Sequence, residues 1–119
     1  MSKNEKLEGA LIAYLGMIER GEYFEAHEVL EDVWYPMRKS RDDLANLLKG
    51  LINAAVAFEH IKRKKPGAEE RARRVIRSYD RYAPLCGTMT TEAELFQQAC
   101  GKVQQLKAQY HKVFDVLVS

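Results

Sequence analysis

The chain has 119 residues, 46% of them apolar and 30% charged, with a formal net charge of +2. That is the size of one ordinary domain, able to build a core without staples, and the composition excludes a disordered chain. So small a net charge gives no bulk argument for nucleic acid or a membrane surface.

The first helix is expected from about Lys3 to Arg20. Ser2 and Glu5 have the capping-box spacing. Leu7, Leu11, Tyr14 and Ile18 recur on one helical face. Gly21 follows as a natural residue for positive φ at a helix end. The second helix covers Tyr23 to Trp34 or Tyr35, and Pro36 should stop it. The third runs from about Arg41 to Lys64, started by Ser40 and Asp43. It is almost continuously apolar from Leu44 to Ile61, which predicts the central, most buried helix.

The fourth is expected from Pro66 to just before Pro84, with Ala68, Ala72, Val75, Ile76 and Tyr79 as its apolar face. A loop covers Pro84 to Thr90. The fifth spans about 91–118, with Thr91 and Glu94 as a capping box. Its seam of Phe96, Ala99, Val103, Leu106, Tyr110, Val113 and Leu117 has the three–four spacing of helix-on-helix packing. Packing within the bundle is the first reading of that seam; a homodimer is the alternative. No strand-like alternation competes. The expected fold is all-α: one compact bundle of about five helices in a single domain, residues 1–119.

No segment approaches the ~20 apolar residues that cross a bilayer, and Met1 to Lys6 has no signal-peptide character. Cys86 and Cys100 lack CxxC or Cys/His zinc spacing. The expectation is a cytoplasmic protein with reduced thiols and no membrane partner.

The second helix carries the candidate site. Its wheel puts Tyr23, Ala26, Leu30, Val33 and Trp34 inward and Glu25, Glu28 and Asp32 outward. His27 and Glu31, i and i+4, fall on the border, and Trp34 continues their row. A carboxylate beside an imidazole can fix its tautomer, and the same pair can supply two ligands to a divalent metal. A Trp adds an apolar wall and one N–H donor. The pattern is neither His-Glu-x-x-His nor the Glu-x-x-His of di-iron bundles. The plainer reading is a hydrogen-bonded pair holding helix two against helix three.

On the third helix Asn46, Asn53 and His60 are spaced by seven and form one polar row. Gly50 and Ala57 form a parallel row where another helix can approach. A buried polar row needs partners. His27 and Glu31 are the expected ones, and solvent is the alternative.

Phe24-x-x-His27-Glu28-x-x-Glu31-x-x-Trp34, then Lys49-Gly50-Leu51-Ile52, Ala54-Ala55-Val56-Ala57-x-x-His60 and Gly67-Ala68, resembles the DUF309 family over about residues 7–80. These are small bacterial and archaeal helical proteins without an established activity. The resemblance implies a compact multihelical bundle and marks His27, Glu28, Glu31, Trp34, Gly50 and His60. The family often has Gln where this chain has Lys49, and often a Gly-Asn turn where it has Lys64-Lys65.

From Lys62 to Arg81 nine cations face three carboxylates, a local excess of six. They offer a phosphate-contacting face, yet no recognition motif accompanies them. A solvated helix face is the simpler account.

No P-loop, Gly-rich fingerprint or nucleophile elbow is present. The leading functional reading is a non-enzymatic module binding a small ligand or a protein, with His27, Glu28, Glu31, Trp34, Asn53 and His60 as candidate contacts. The first alternative is a metal-assisted or acid–base enzyme using His27, Glu31 and His60, with a divalent metal as its cofactor. The second is a polyanion or nucleic-acid binder using residues 62–81.

Overall fold

Helix α3 (Asp43–Arg63) is the axis on which most of the other elements pack. The structure, a computed structural model, describes residues 3–115, with side chains from residue 5. Ser2 of the first capping box and Leu117 of the C-terminal seam lie outside the described residues. The apolar run of α3 explains its place: Leu47, Leu48, Leu51, Ala54, Ala55, Ala57 and Phe58 are completely buried. Asp42 starts the helix, its carboxylate accepting the Ala45 N–H at 2.9 Å, a cap that stabilises by about 1 kcal/mol. Ser40 acts one step earlier, accepting the Asp42 N–H at 3.3 Å. The helix therefore begins two residues later than Arg41.

Helix α1 (Lys3–Glu19) buries Leu7, Leu11, Tyr14 and Ile18, the four residues of its predicted face. Tyr14 reaches across the core and donates to the Leu51 carbonyl at 2.8 Å. Gly21, at φ +76°, turns the chain, and the Glu22 amide bonds back to Met17. Helix α2 (Tyr23–Trp34) packs between α1 and α3. Pro36 ends it by tightening the chain into a 3-10 turn over Tyr35–Met37.

The expected fourth helix is two. Lys64 and Gly67 take left-handed conformations, so the start moves from Pro66 to Ala68. Helices α4 (Ala68–Val75) and α5 (Arg77–Tyr82) meet at Ile76, whose ψ of −13° bends the path. There the Ser78 hydroxyl donates to the Val75 carbonyl and accepts the Asn53 amide at 2.7 Å. A side-chain bond thus competes with the helical ladder at the bend.

Ala83–Thr88 forms a 3-10 segment where a loop was expected. Helix α6 (Ala93–Gln109) follows Glu92, a left-handed residue, with no side-chain cap; the Thr91–Glu94 box does not form. The chain breaks again at Tyr110 before α7 (His111–Phe114). Phe96, Ala99, Val103 and Val113 of the seam are buried within the chain. Tyr79 ties α5 to α6: its hydroxyl donates to the Cys100 carbonyl at 3.2 Å and accepts from Gln104 at 2.9 Å.

Every described residue in regular structure is helical. The fold is an all-α bundle, with the last two expected helices each divided by a bend. Its radius of gyration, 13.8 Å, is close to the about 13.5 Å of a compact chain this long.

Candidate functional site

An open groove of about 210 Å³ runs between α2 and the C-terminal half of α3. Phe24 and His27 form one wall; Val56, Glu59, His60 and Arg63 form the other. The geometry follows from helical spacing. Phe24 and His27 are i and i+3, while residues 56, 59, 60 and 63 are i, i+3, i+4 and i+7, a single stripe.

The His27 Nδ1 lies 2.5 Å from the Phe24 carbonyl. A carbonyl only accepts, so Nδ1 carries the proton and Nε2 is the acceptor of the neutral ring. Glu31 approaches that Nε2 to 3.7 Å, beyond hydrogen-bond range. The tautomer is set by the Phe24 carbonyl and not, as the spacing suggests, by Glu31. The Phe24 ring stands edge-on to His27, centroids 4.9 Å apart, and is 44% exposed.

Arg63 donates to Glu59 at 2.6 Å and lies 5.9 Å from the Phe24 ring centre. The groove thus holds a paired cation and anion and no uncompensated charge. His60 has its imidazole pKa pushed down, first by burial and then by the cations Arg71 and Arg63, with Glu59 opposing. It is held neutral at physiological pH.

That shift has a sign. The unfolded chain takes up a proton near the ordinary value of 6.5, before the folded chain does. Stability is therefore present above pH 6.5 and is lost as pH falls through the lower folded value. Urea midpoints measured across this range should decline on acidification. His60→Asn should flatten that decline, and an unchanged slope would place His60 in ordinary solvent.

The six candidate residues divide. His27 and His60 share the groove, with Glu31 exposed beside His27. Glu28 is exposed and its side chain makes no hydrogen bond or ion pair among the described residues. Asn53 is bonded to Ser78 of α5 and Asn46 lines another cleft, so of the polar row of α3 only His60 meets His27. Trp34 lines a different cleft, beside Lys49 and Asn46. Among the described residues no three His, Cys, Asp or Glu side chains converge to hold a metal ion, so His27, Glu31 and His60 do not form a ligand triad.

Phe24, Val56, Glu59 and Arg63 are the members that sequence reasoning did not place in the site. The i, i+3, i+4, i+7 stripe of Val56, Glu59, His60 and Arg63 along α3 is the available signal.

Five of the nine cations of residues 62–81 are engaged within the chain. Lys62 bonds the Gly21 carbonyl at 2.8 Å, Arg71 the Pro66 carbonyl at 2.9 Å and Arg73 the Val113 carbonyl at 3.2 Å. Arg63 and Arg74 pair with Glu59 and Glu70. Both cysteines are free and buried. Burial pushes the Cys100 thiol up, which leaves it a poor nucleophile.

The family model described as a domain of unknown function, DUF309, matches residues 11–71. No curated protein and no solved structure matches. The groove lies wholly inside the matched segment, while α5, α6 and α7 follow it.

Proposed function

The chain belongs to the DUF309 family, and we propose that it is a non-enzymatic binding module which takes a small ring-bearing ligand between α2 and α3. The observation that carries this reading is an exposed Phe24 beside two partly buried imidazoles at one concavity. Phe24 and Val56 offer apolar contact. His27 Nε2 and the neutral His60 offer hydrogen bonds that fix orientation, the usual division of labour in small-molecule sites. Because Arg63 is neutralised by Glu59, the preferred ligand is uncharged.

Size supports the same choice. A cavity of about 150 Å³ holds one benzene ring, and this groove is about 210 Å³. An acid–base enzyme is less well supported, since Glu31 is too far from His27 to polarise it through a hydrogen bond. A cytoplasmic setting in a prokaryote is part of the proposal, supported by two free buried thiols.

The test is an NMR titration of the imidazole ring protons with neutral aromatic alcohols and amides. Signals of His27 and His60 should move together and saturate at up to about 1 mM, the affinity class of one buried ring. Val56→Phe, which fills the groove, should abolish the response. Absence of saturable shifts, or shifts that survive Val56→Phe, would rule the groove out as the binding site.

A further inference from the structure

A second cleft, of about 420 Å³, carries Arg38, Lys39, Arg41 and Lys49 together with Trp34 and Tyr82, and no carboxylate lines it. Its walls come from the turn after α2, the start of α3 and the end of α5. It is separate from the Phe24–His60 groove and shares no residue with it.

The lining sets this cleft apart: the groove with His60 carries Glu59, the cleft with Lys64 and Lys65 carries Glu69 and Glu70, and the cleft with Lys102 carries Glu19. Elsewhere Arg20, Arg63, Arg74, Lys102 and Lys107 each reach a carboxylate. Lys62, Arg71 and Arg73 donate to main-chain carbonyls. Among the described residues, Arg38, Lys39, Arg41 and Lys49 form no ion pair. Arg38 is nonetheless ordered, donating to the Tyr35 carbonyl at 2.8 Å with its guanidinium 3.8 Å over the Tyr35 ring. Lys49 lies 5.7 Å from the Trp34 ring centre. Asp42 and Asp43 follow Arg41 in sequence, but Asp42 spends its carboxylate on the Ala45 amide and neither residue lines the cleft.

Four like charges around one concavity repel each other and raise the local potential. A multiply charged anion removes that repulsion, and phosphates match guanidinium and ammonium donors together. The aromatic side chains add what phosphate alone does not need: flat faces for a base. The volume lies within the about 300–1,000 Å³ of small-molecule sites. We propose that this cleft binds a nucleotide, its phosphates on Arg38, Lys39, Arg41 and Lys49 and its base against Trp34 and Tyr82.

Trp34 is the only tryptophan in the chain, so its emission reports on the cleft directly. Three probes separate the sources of the ligand: ATP, a short oligothymidylate and inorganic pyrophosphate. At low salt, ATP or the oligonucleotide should change Trp34 emission and saturate below about 1 mM. Affinity should fall as salt rises. The tighter of these two identifies a free nucleotide or a strand as the source. Pyrophosphate, lacking a base, should bind at least about tenfold more weakly.

Lys39→Glu with Arg41→Glu should weaken binding about tenfold or more, with unchanged circular dichroism because both side chains are exposed. Lys64→Glu with Lys65→Glu, elsewhere on the surface, should leave affinity within about twofold of wild type. The proposal is overturned by no saturable change with ATP or oligonucleotide, by indifference to the first double substitution, by an equal effect of the second, or by pyrophosphate binding as tightly as ATP.

Discussion

Replacing Phe58 with alanine is expected to lower the unfolding free energy by about 3–5 kcal/mol, the usual cost of emptying a buried aromatic site. Phe58 is completely buried. Its ring meets Tyr23 at 5.7 Å, Tyr110 at 6.3 Å and Phe114 at 5.9 Å, the last nearly perpendicular. Those partners come from α2, from the break after α6 and from α7. One side chain of the central helix therefore anchors the start of α2 and the end of the described chain. Against a typical total of about 5–15 kcal/mol, the loss is a large share. Urea unfolding should show a lower midpoint with little change in slope. Phe58→Leu, which retains most of the volume, should cost much less. A loss below about 1 kcal/mol for Phe58→Ala would mean that the three aromatic contacts are not closely packed.

The same residue shows what was legible in advance. Phe58 belongs to an apolar run too long for one face, and such a run has to be central. Likewise Leu7, Leu11, Tyr14 and Ile18 could be assigned inward from spacing alone. Periodicity carries this because burial is a property of one helix face. The bends at Ile76 and Tyr110 were not legible, since no proline or glycine marks either point. The first depends on Ser78 meeting Asn53, a contact twenty-five residues apart in sequence. A tertiary partner decided that bend.

The site was legible in half. His27 and His60 share a groove, and the helical wheel correctly turned Glu28 outward. The row from His27 to Trp34 did not survive as one site. Trp34 sits nearly two turns along α2, so the chain that follows it can build a different cleft. Arg38, Lys39 and Arg41 follow no single helical spacing, and only the fold brings them to Lys49 and Tyr82, so nothing in the sequence marks them as one cluster. Density in sequence is a poor guide: the denser run at residues 62–81 has carboxylates set against it, Glu59 at Arg63 and Glu70 at Arg74, whereas no carboxylate lines the cleft that the earlier cations border.

Gly50→Val is the second substitution expected to have a large effect, destabilising by about 3 kcal/mol. Gly50 lies inside α3, where glycine costs a helix about 1 kcal/mol relative to alanine. The reason it stands there is α5. A Cβ built on Gly50 would lie 3.2 Å from the Tyr79 Cα and 3.4 Å from the Ser78 carbonyl oxygen. Both are main-chain atoms and cannot rotate away. Valine adds two further methyl groups at that contact, so α5 has to move. Its displacement strains the Asn53–Ser78 hydrogen bond and shifts Tyr82, whose Cβ is 3.5 Å away. Gly101 provides the contrast: it is exposed in α6, with nothing within 4 Å of an added Cβ. Gly101→Ala should therefore stabilise by about 0.5–1 kcal/mol. Because Tyr82 borders the basic cleft and not the Phe24–His60 groove, Gly50→Val should also weaken nucleotide binding while sparing ring-ligand binding. Equal stability of Gly50→Val and wild type would show that α5 is not held against α3 by this close approach.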